Sequence, residues 1–293
     1  MTDPDVSLAG RVAVVTGAGD GLGRAEALAL ASAGARLVLN DVRAETAEAV
    51  AEEIRDRGGE AAVHAGDVAA WETAEGLLAT ALAAFGGLDV LVNNAGFTRD
   101  RMLFNMSADE WDAVVRVHLR GHFVTSRIAA AHWRARSKET GGPVYARIVN
   151  TSSEAFMIGA PGQPNYAAAK GGVAALTLST ALSCGRYGVR ANAICPRART
   201  AMTTAVFGPA PSEGPDPLAP EHVAPLVAYL ASPAAQDVTG QVFMAHGARV
   251  AVMAPPTVAY EARTESTWTA AALAAELGPK VATGTAGFVS ALS

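Results

Sequence analysis

The chain has 293 residues, of which half are hydrophobic and 17% are charged, so it can bury a large core and wholesale disorder is excluded. Its net charge is −5, and no run of Lys and Arg predicts a nucleic-acid surface. No apolar stretch predicts a signal peptide or a membrane span. Cys184 and Cys195 give neither a disulfide framework nor a zinc-ligand spacing. We therefore expect a cytoplasmic protein without a metal, a nucleic-acid partner or a membrane partner.

The first predicted strand, residues 11–16, leads into a glycine-rich turn and then into an alanine-rich helical pattern. Glycines let the backbone approach a pyrophosphate, and the N-terminus of the next helix offers free N–H groups and the positive end of its dipole. This order of strand, turn and helix predicts a phosphate-bearing cofactor. The candidate binding residues of the turn are Gly17, Asp20, Gly21, Leu22 and Gly23.

The second predicted strand, residues 36–40, ends at Asp41, twenty residues beyond Gly21. An acidic side chain at this distance can hold a ribose 2′-hydroxyl and repel a 2′-phosphate. Asp41 can also cap the next helix, and the two roles are compatible. Asp20 adds negative charge, and Arg43 is the only neighbour that would attract a phosphate. We therefore expect NAD rather than NADP as the cofactor.

Strands and helices alternate along the rest of the chain, which implies right-handed crossovers and a parallel sheet. Further strands are predicted at 61–64, 88–92, 147–151, 189–195 and 240–245. Further helices are predicted at 44–57, 71–85, from a capping box at Ser107 and Glu110 to 133, at 165–187 and at 221–231. Ligands of such sheets lie beyond the carboxyl ends of the strands. Gly17, Asp41, Asp67 and Asn94 all follow predicted strand ends, so we expect the site there.

The segment 150–170 carries the candidate catalytic groups, Ser153, Tyr166 and Lys170. If a helix begins here, the spacing of four places Tyr166 and Lys170 on one face. A Lys⁺ about 4 Å away favours a phenolate by roughly 4 kcal/mol at an effective dielectric of about 20, or about three pH units. The phenol would then be suited to general acid–base chemistry. A serine hydroxyl nearby can hydrogen-bond a carbonyl oxygen as it becomes an alkoxide.

The motifs Thr16-Gly17-x-x-x-Gly21-x-Gly23, Asn93-Asn94-Ala95-Gly96, Ser153 and Tyr166-x-x-x-Lys170 together resemble the short-chain dehydrogenase/reductase family, classical type, over about residues 8 to 250. The resemblance implies an α/β fold: a Rossmann-like, doubly wound, seven-stranded parallel sheet with helices on both faces in a single domain. It also implies a homotetramer or homodimer, and hydride transfer between a nicotinamide and an alcohol or ketone.

The resemblance also implies a role for each matching residue. Tyr166 would be the acid/base, Lys170 would lower its pKa and hold the nicotinamide ribose, and Ser153 would bind the substrate oxygen. The implied cofactor contacts are completed by Asp67, Val68, Asn94, Ala95, Gly96 and Thr200.

Two residues depart from the family pattern. His118 stands where the family commonly has Asn, whose backbone carbonyl holds a water in a proton relay toward the lysine. A main-chain role survives this change, and the His118 side chain is either a proton shuttle or ordinary packing. Arg197 replaces a glycine after the sixth strand, which removes backbone freedom and places a cation near the mouth of the site.

Three further stretches look like the 3-hydroxyacyl-CoA dehydrogenase domains of multifunctional β-oxidation enzymes, a subgroup with bacterial 17β-hydroxysteroid dehydrogenases among its relatives. They are residues 99–101, 116–123 and 220–227, and His122 in the second replaces a small residue. The resemblance implies an NAD-dependent dehydrogenase of a bulky apolar alcohol. An NADPH-dependent ketoreductase of fatty-acid or polyketide assembly and a non-enzymatic nicotinamide-binding protein are the alternatives.

Two segments have less definite predictions. The Pro- and Gly-rich stretch 207–220 is either a substrate lid or a plain connector. Residues 1–253 are expected to form the domain, and 254–293 an extension with one short helix at 269–277 and a flexible end from Gly284.

Overall fold

One eight-stranded sheet forms the centre of the molecule, with the strands in the order β3-β2-β1-β4-β5-β6-β7-β8. The computed structural model describes residues 6–281 of the chain. The strands are Val12–Thr16 (β1), Arg36–Asn40 (β2), Ala61–Val63 (β3), Val90–Asn93 (β4), Ala146–Thr151 (β5), Val189–Pro196 (β6), Val242–His246 (β7) and Arg249–Val252 (β8).

The first seven strands are parallel, so the α/β, doubly wound prediction is confirmed. The eighth strand was not predicted: it pairs antiparallel with β7 through a tight connection at Gly247, which has φ +52°. All four residues of β8 are exposed. Because β8 is short and exposed, its sequence has no buried apolar run of the kind that identifies the other strands.

Helices cover both faces of the sheet. They are Gly21–Ser32 (α1), Ala44–Asp56 (α2), Trp71–Phe85 (α3), Ala108–Val115 (α4), Gly121–Thr140 (α5), Ala155–Ile158 (α6), Pro164–Cys184 (α7), Thr204–Phe207 (α8), Ala224–Ala231 (α9) and Ala270–Leu277 (α10). One core packs α1, α2 and α9 against residues such as Val15 and Leu39. The other packs α3, α5 and α7 against Val14 and Ile148. Within residues 6–281, no helix has the length and apolar character needed to traverse a bilayer.

The helix that begins after Ser107 is longer than predicted and contains a π-turn. Ser107 and Glu110 form the expected capping box. A π-helical segment, Arg116–Arg120, then connects α4 to α5. Such bulges are rare and often lie at functional sites. This one carries His118.

The C-terminal extension contains the predicted short helix, α10, and Thr269 caps it by accepting from the backbone N–H of Ala272. None of the α10 residues is buried. The expected flexible end from Gly284 lies outside the described residues.

Candidate active site

The turn after β1 is shaped so that only glycine fits at several of its positions. Gly17 has φ +62°, and a Cβ on it would lie 2.8 Å from the Cα of Ala95. A Cβ on Gly23 would overlap the carbonyl oxygen of Gly17. Asp20 caps α1 by accepting from the Gly21 N–H at 2.7 Å. The backbone of this turn is therefore bare, and it lies against the N-terminus of a helix, where phosphates bind.

Asp41 closes one side of the turn. Its Oδ2 accepts from the Gly19 N–H at 3.2 Å, and its Oδ1 accepts from the Arg43 N–H at 3.1 Å. The Arg43 guanidinium lies 3.9 Å from the same carboxylate. The carboxylate, 13% exposed, thus both holds the turn and borders the cavity next to it.

The end of β4 is tied to the glycine turn by Asn94. Its side-chain amide donates to the carbonyls of Thr16 and Gly17, each at 3.1 Å. The Thr16 hydroxyl accepts from the backbone N–H groups of Asn94 and Ala95. These bonds fix the two strand ends that form the floor of the site.

Tyr166 and Lys170 lie one turn apart on α7, as their spacing predicted. Pro164 occupies the first turn of the helix, and the buried Asn165 side chain accepts from the Tyr166 N–H while donating to the carbonyls of Arg99 and Glu110. The Lys170 Nζ lies 5.4 Å from the centroid of the Tyr166 ring. The start of α7 is thus held firmly against the loop that follows β4.

The Ser153 hydroxyl lies beside the Tyr166 phenol and lowers its pKa, and it accepts from the Ala155 N–H at 3.2 Å. Lys170 is 1% exposed, and its Nζ donates to the carbonyl of Thr151 at 2.5 Å. The three candidate catalytic residues therefore meet at the carboxyl end of β5.

The predicted lowering of the Tyr166 pKa is wrong for this structure. Burial raises the pKa of Tyr166 to about 12, and the Ser153 hydroxyl opposes this only in part. Burial also lowers the pKa of Lys170 to about 7. The attraction of Lys⁺ for a phenolate is opposed by the desolvation of both groups, which the spacing of the two residues does not reveal. The Lys170 ammonium also donates to the Thr151 carbonyl.

His118 packs against Tyr166 at right angles, with the ring centroids 5.1 Å apart. Its Nε2 lies 2.7 Å from the Phe97 carbonyl oxygen and 3.1 Å from the Phe97 amide nitrogen, so it bonds to one or the other according to its tautomer. Burial holds the pKa of His118 well below its ordinary value. A Cβ on Gly96 would overlap the imidazole, so this histidine requires that glycine.

Arg197 does not present a free cation to the mouth, contrary to the expectation. Its guanidinium forms a bidentate pair with Glu154, at 2.6 and 2.7 Å, and its flanking residues Pro196 and Ala198 line the cavity instead. The sequence could not show this pairing because Glu154 is 43 positions away.

A cavity of about 710 Å³ joins these elements along the carboxyl edge of the sheet. Most of the predicted residues line it: Gly17, Asp20, Gly21, Leu22, Asp41, Asp67, Val68, Asn94, Ala95, Gly96, His118, Tyr166, Lys170 and Thr200. Gly23 and Ser153 do not. Gly23 packs α1 onto the turn, and Ser153 lies beside Tyr166.

Sequence reasoning did not assign a role to several residues that line the cavity, notably Phe97, Val117, Ala198 and Met202. Each of these residues follows a strand or lies on the helical segment after β4. That position was the signal in the sequence that could have placed them at the site. No spacing rule distinguishes such apolar residues from core residues. Within the described residues 6–281, no cluster of His, Cys, Asp and Glu could hold a metal ion.

A family model described as short chain dehydrogenase matches residues 11–209. The chain belongs to the short-chain dehydrogenase/reductase family. It is therefore a nicotinamide-dependent oxidoreductase, and the glycine turn, Tyr166 and Lys170 occupy the family's motif positions.

The similarity to other members of the short-chain dehydrogenase/reductase family extends over most of the chain. Hydroxyacyl-CoA dehydrogenase ChsB1 of Mycobacterium tuberculosis is 58% identical over 264 residues, which are 87% of this chain and 83% of that protein. Peroxisomal multifunctional enzyme type 2 of Mus musculus is 41% identical over 230 residues, 75% of this chain and 30% of the mouse protein. The crystal structure of a short chain dehydrogenase from Mycobacterium avium has a TM-score of 0.86 at 45% identity, covering 94% and 95% of the two chains.

Proposed function

We propose that the protein interconverts a 3-hydroxyacyl thioester and the 3-oxoacyl thioester, with NAD(H) as the cofactor. The observation that carries this proposal is the meeting of Ser153, Tyr166 and Lys170 at one end of a cavity whose other end is the bare glycine turn. The hydroxyacyl-CoA dehydrogenase relative supports the substrate class. The apolar side chains of Phe97, Ala198 and Met202 suit an acyl chain.

The residues present fit a nicotinamide dinucleotide. The turn from Gly17 to Gly23 would hold the pyrophosphate, since side chains are excluded there and the α1 N-terminus faces the cavity. Asp41 would hold the adenosine ribose, and Val68 would lie against the adenine. A bound nicotinamide supplies or accepts the hydride.

Side chains of the protein would transfer the proton between the substrate and the enzyme. In the oxidation direction, the Tyr166 phenolate takes the proton of the substrate hydroxyl, and in reduction the phenol returns it. Ser153, which lies beside the same phenol, would donate to the substrate oxygen as charge develops on it. Lys170 holds the nicotinamide ribose, and its charge when protonated favours the phenolate.

A panel of 3-oxoacyl-CoA, acyl-carrier and steroid ketone substrates, each followed by the absorbance of NADH, tests the proposal. We expect the acyl-CoA to give the highest kcat/KM. Tyr166→Phe should lower kcat about 10²- to 10⁴-fold while NADH still binds. Tyr229→Phe, on a partly exposed tyrosine of α9, is the matched control and should retain activity. Turnover by Tyr166→Phe at the control rate would refute the catalytic assignment.

We further propose that the protein is a cytoplasmic homotetramer or homodimer that assembles through the outer faces of α5 and α7. Phe123, Leu178 and Leu182 are exposed there by 44%, 44% and 88%. Exposed apolar patches on a soluble chain mark contacts with other proteins. Analytical ultracentrifugation should show an oligomer that Leu182→Glu dissociates. A monomeric wild type would exclude this assembly.

A further inference from the structure

The segment that follows β6 places alternate side chains at the cavity. Pro196, Ala198 and Thr200 line it, whereas Arg197 and Arg199 between them do not. Side chains alternate in this way along extended backbone. Arg197 stands where the family pattern has a glycine, and its side chain is only 23% exposed. A largely buried charge needs a partner, and the partner shows what the side chain does.

Glu154, from the loop after β5, is such a partner. The Arg197 Nε donates to the Glu154 Oε1 at 2.6 Å, and the Nη2 donates to the Oε2 at 2.7 Å. The Arg197 N–H also donates to the Ala245 carbonyl of β7 at 2.9 Å, so the guanidinium extends from backbone that is fixed to the sheet. Bidentate, charge-assisted bonds of this kind are strong and directional. The pair therefore joins the loops that follow β5 and β6.

Glu154 directly follows Ser153 in a compact turn. The Ser153 hydroxyl accepts from the Ala155 N–H at 3.2 Å. The Glu154 carbonyl accepts from the N–H groups of Met157 and Ile158 at 2.8 and 3.0 Å. A serine oxygen that accepts from the main chain keeps its own O–H free to donate elsewhere. Where this O–H lies is therefore set by the position of the turn.

The turn is held on both sides of Ser153. On the side of β5, the Ser152 N–H donates to the Ile194 carbonyl of β6 at 2.7 Å. On the other side, the Glu154 carboxylate is bonded to Arg197 and does not cap the short helix α6. Breaking the ion pair would therefore free one side of the turn while β5 and β6 still hold the other.

We propose that the ion pair of Glu154 with Arg197 is a positioning device for Ser153: it holds the serine turn against the loop after β6 and so fixes where the hydroxyl lies. The inference rests on the proposed function, in which Ser153 would donate to the substrate oxygen. Because neither Glu154 nor Arg197 lines the cavity, the pair acts through the serine and not on the substrate itself. An ion pair that only stabilised the fold would have the same effect on kcat whether or not Ser153 were present.

The test measures kcat for 3-oxoacyl-CoA reduction in single and double variants. Removing one oxyanion donor costs roughly 10²- to 10³-fold in kcat, so displacing the Ser153 hydroxyl by Glu154→Ala should cost about tenfold. Glu154→Gln, which keeps one acceptor for the guanidinium, should lose less. Arg197→Ala should match Glu154→Ala, and the double variant should lose no more than the larger single loss. The Kd for NADH should stay within about twofold throughout.

Combination with Ser153→Ala separates positioning from plain stability. In the Ser153→Ala background, Glu154→Ala should lower kcat less than about twofold, because the residue through which the pair acts is already gone. Glu53→Ala is the matched control: it breaks the bidentate pair of Arg24 with Glu53, at 2.7 and 3.0 Å, and should leave kcat unchanged. An equal loss on Glu154→Ala with and without Ser153, or an unchanged kcat in folded Glu154→Ala, would overturn the inference.

Amide hydrogen exchange gives a readout that does not depend on turnover. In nucleotide-free protein, the amides of residues 155–158 should exchange about tenfold faster in Glu154→Ala and Arg197→Ala than in the wild type or Glu53→Ala. Unchanged exchange at these amides would show that the pair does not hold the turn, and the inference would be wrong. Failure of the wild type to reduce any carbonyl would instead count against the proposed function, and the exchange would still decide whether the pair holds the turn.

Discussion

At the scale of single residues, Asp41 combines two tasks that can be separated by mutation. Its carboxylate accepts from the Gly19 N–H and also places negative charge at the cavity wall. An asparagine at position 41 would keep an acceptor for the Gly19 N–H but would remove the charge that repels a 2′-phosphate.

Asp41→Asn should therefore raise the kcat/KM for NADPH relative to NADH by about tenfold or more, since like charges brought together cost several kcal/mol. Asp56→Ser, on the exposed end of α2, is the control with the same loss of charge. Steady-state kinetics with both cofactors checks the ratio. Wild-type preference for NADPH would show that Arg43, not Asp41, dominates the ribose site.

Glu26 is a buried carboxyl for which the catalytic proposal has no use. It is 0% exposed, and neither oxygen has a hydrogen-bond partner. Burial raises its pKa to about 8, and Lys170 opposes this shift. An unfolded glutamate ionises above its ordinary pKa of 4.5, so the folded state holds a proton that the unfolded state has lost between pH 4.5 and 8. The contribution of Glu26 to stability is therefore present below pH 4.5 and lost as pH rises to 8.

Glu26→Gln should be more stable than the wild type by an amount that grows up to pH 8, at most about 1.4 kcal/mol for each pH unit above 4.5. Urea unfolding from pH 5 to 9 measures the difference. Glu52→Gln, on the exposed face of α2, should show no such trend. A difference that is constant with pH would mean that Glu26 ionises normally in the folded state.

At the scale of elements, the loop after β6 is closed by one ion pair. Arg199 bonds Asp216 at 2.8 Å and the Phe207 carbonyl at 2.7 Å, and its backbone N–H donates to the Leu218 carbonyl. Both charged side chains are largely buried, at 13% and 17% exposure. The pair therefore holds the segment that carries Thr200 and Met202 against the cavity.

Arg199→Ala should release this loop, raise KM for the acyl substrate about tenfold, or roughly 1.4 kcal/mol, and speed proteolysis between residues 203 and 216. Glu213→Gln, exposed in the same loop, is the control. A raised KM together with faster proteolysis would identify the loop as a lid. An unchanged KM with faster cleavage would identify it as a connector.

The elements show how far sequence reasoning reaches. Periodicity and turn signals located the parallel strands and the larger helices, because each buries a regular apolar pattern. The short helices α6 and α8 and the π-turn were not predicted, since four- or five-residue segments carry too little pattern. The Tyr166–Lys170 pair could be placed on one helix face, yet the direction of the Tyr166 pKa shift could not. That shift depends on burial by residues far away in the chain.

At the scale of the whole molecule, the boundary proposed near residue 253 can be tested against the packing. The Met253 N–H donates to the Val242 carbonyl at 2.8 Å, which completes the pairing of β8 with β7. Beyond it, most side chains to residue 281 are exposed, and the ion pair of Arg263 with Glu261 lies within the extension itself. The extension therefore adds little to the core of the single chain.

A chain ending at residue 253 should fold, bind NADH and melt within about 2–4 °C of the full chain, corresponding to roughly 1 kcal/mol. A chain ending at residue 248 also loses β8, which exposes the edge of β7 and its buried Phe243 and Met244. It should melt lower and aggregate more readily, because an unpaired strand edge invites pairing with other chains. Calorimetry with light scattering compares the two. If the two truncated chains lost the same stability, the prediction would be wrong. The extension would then belong to the folded core through contacts with a second copy of the chain.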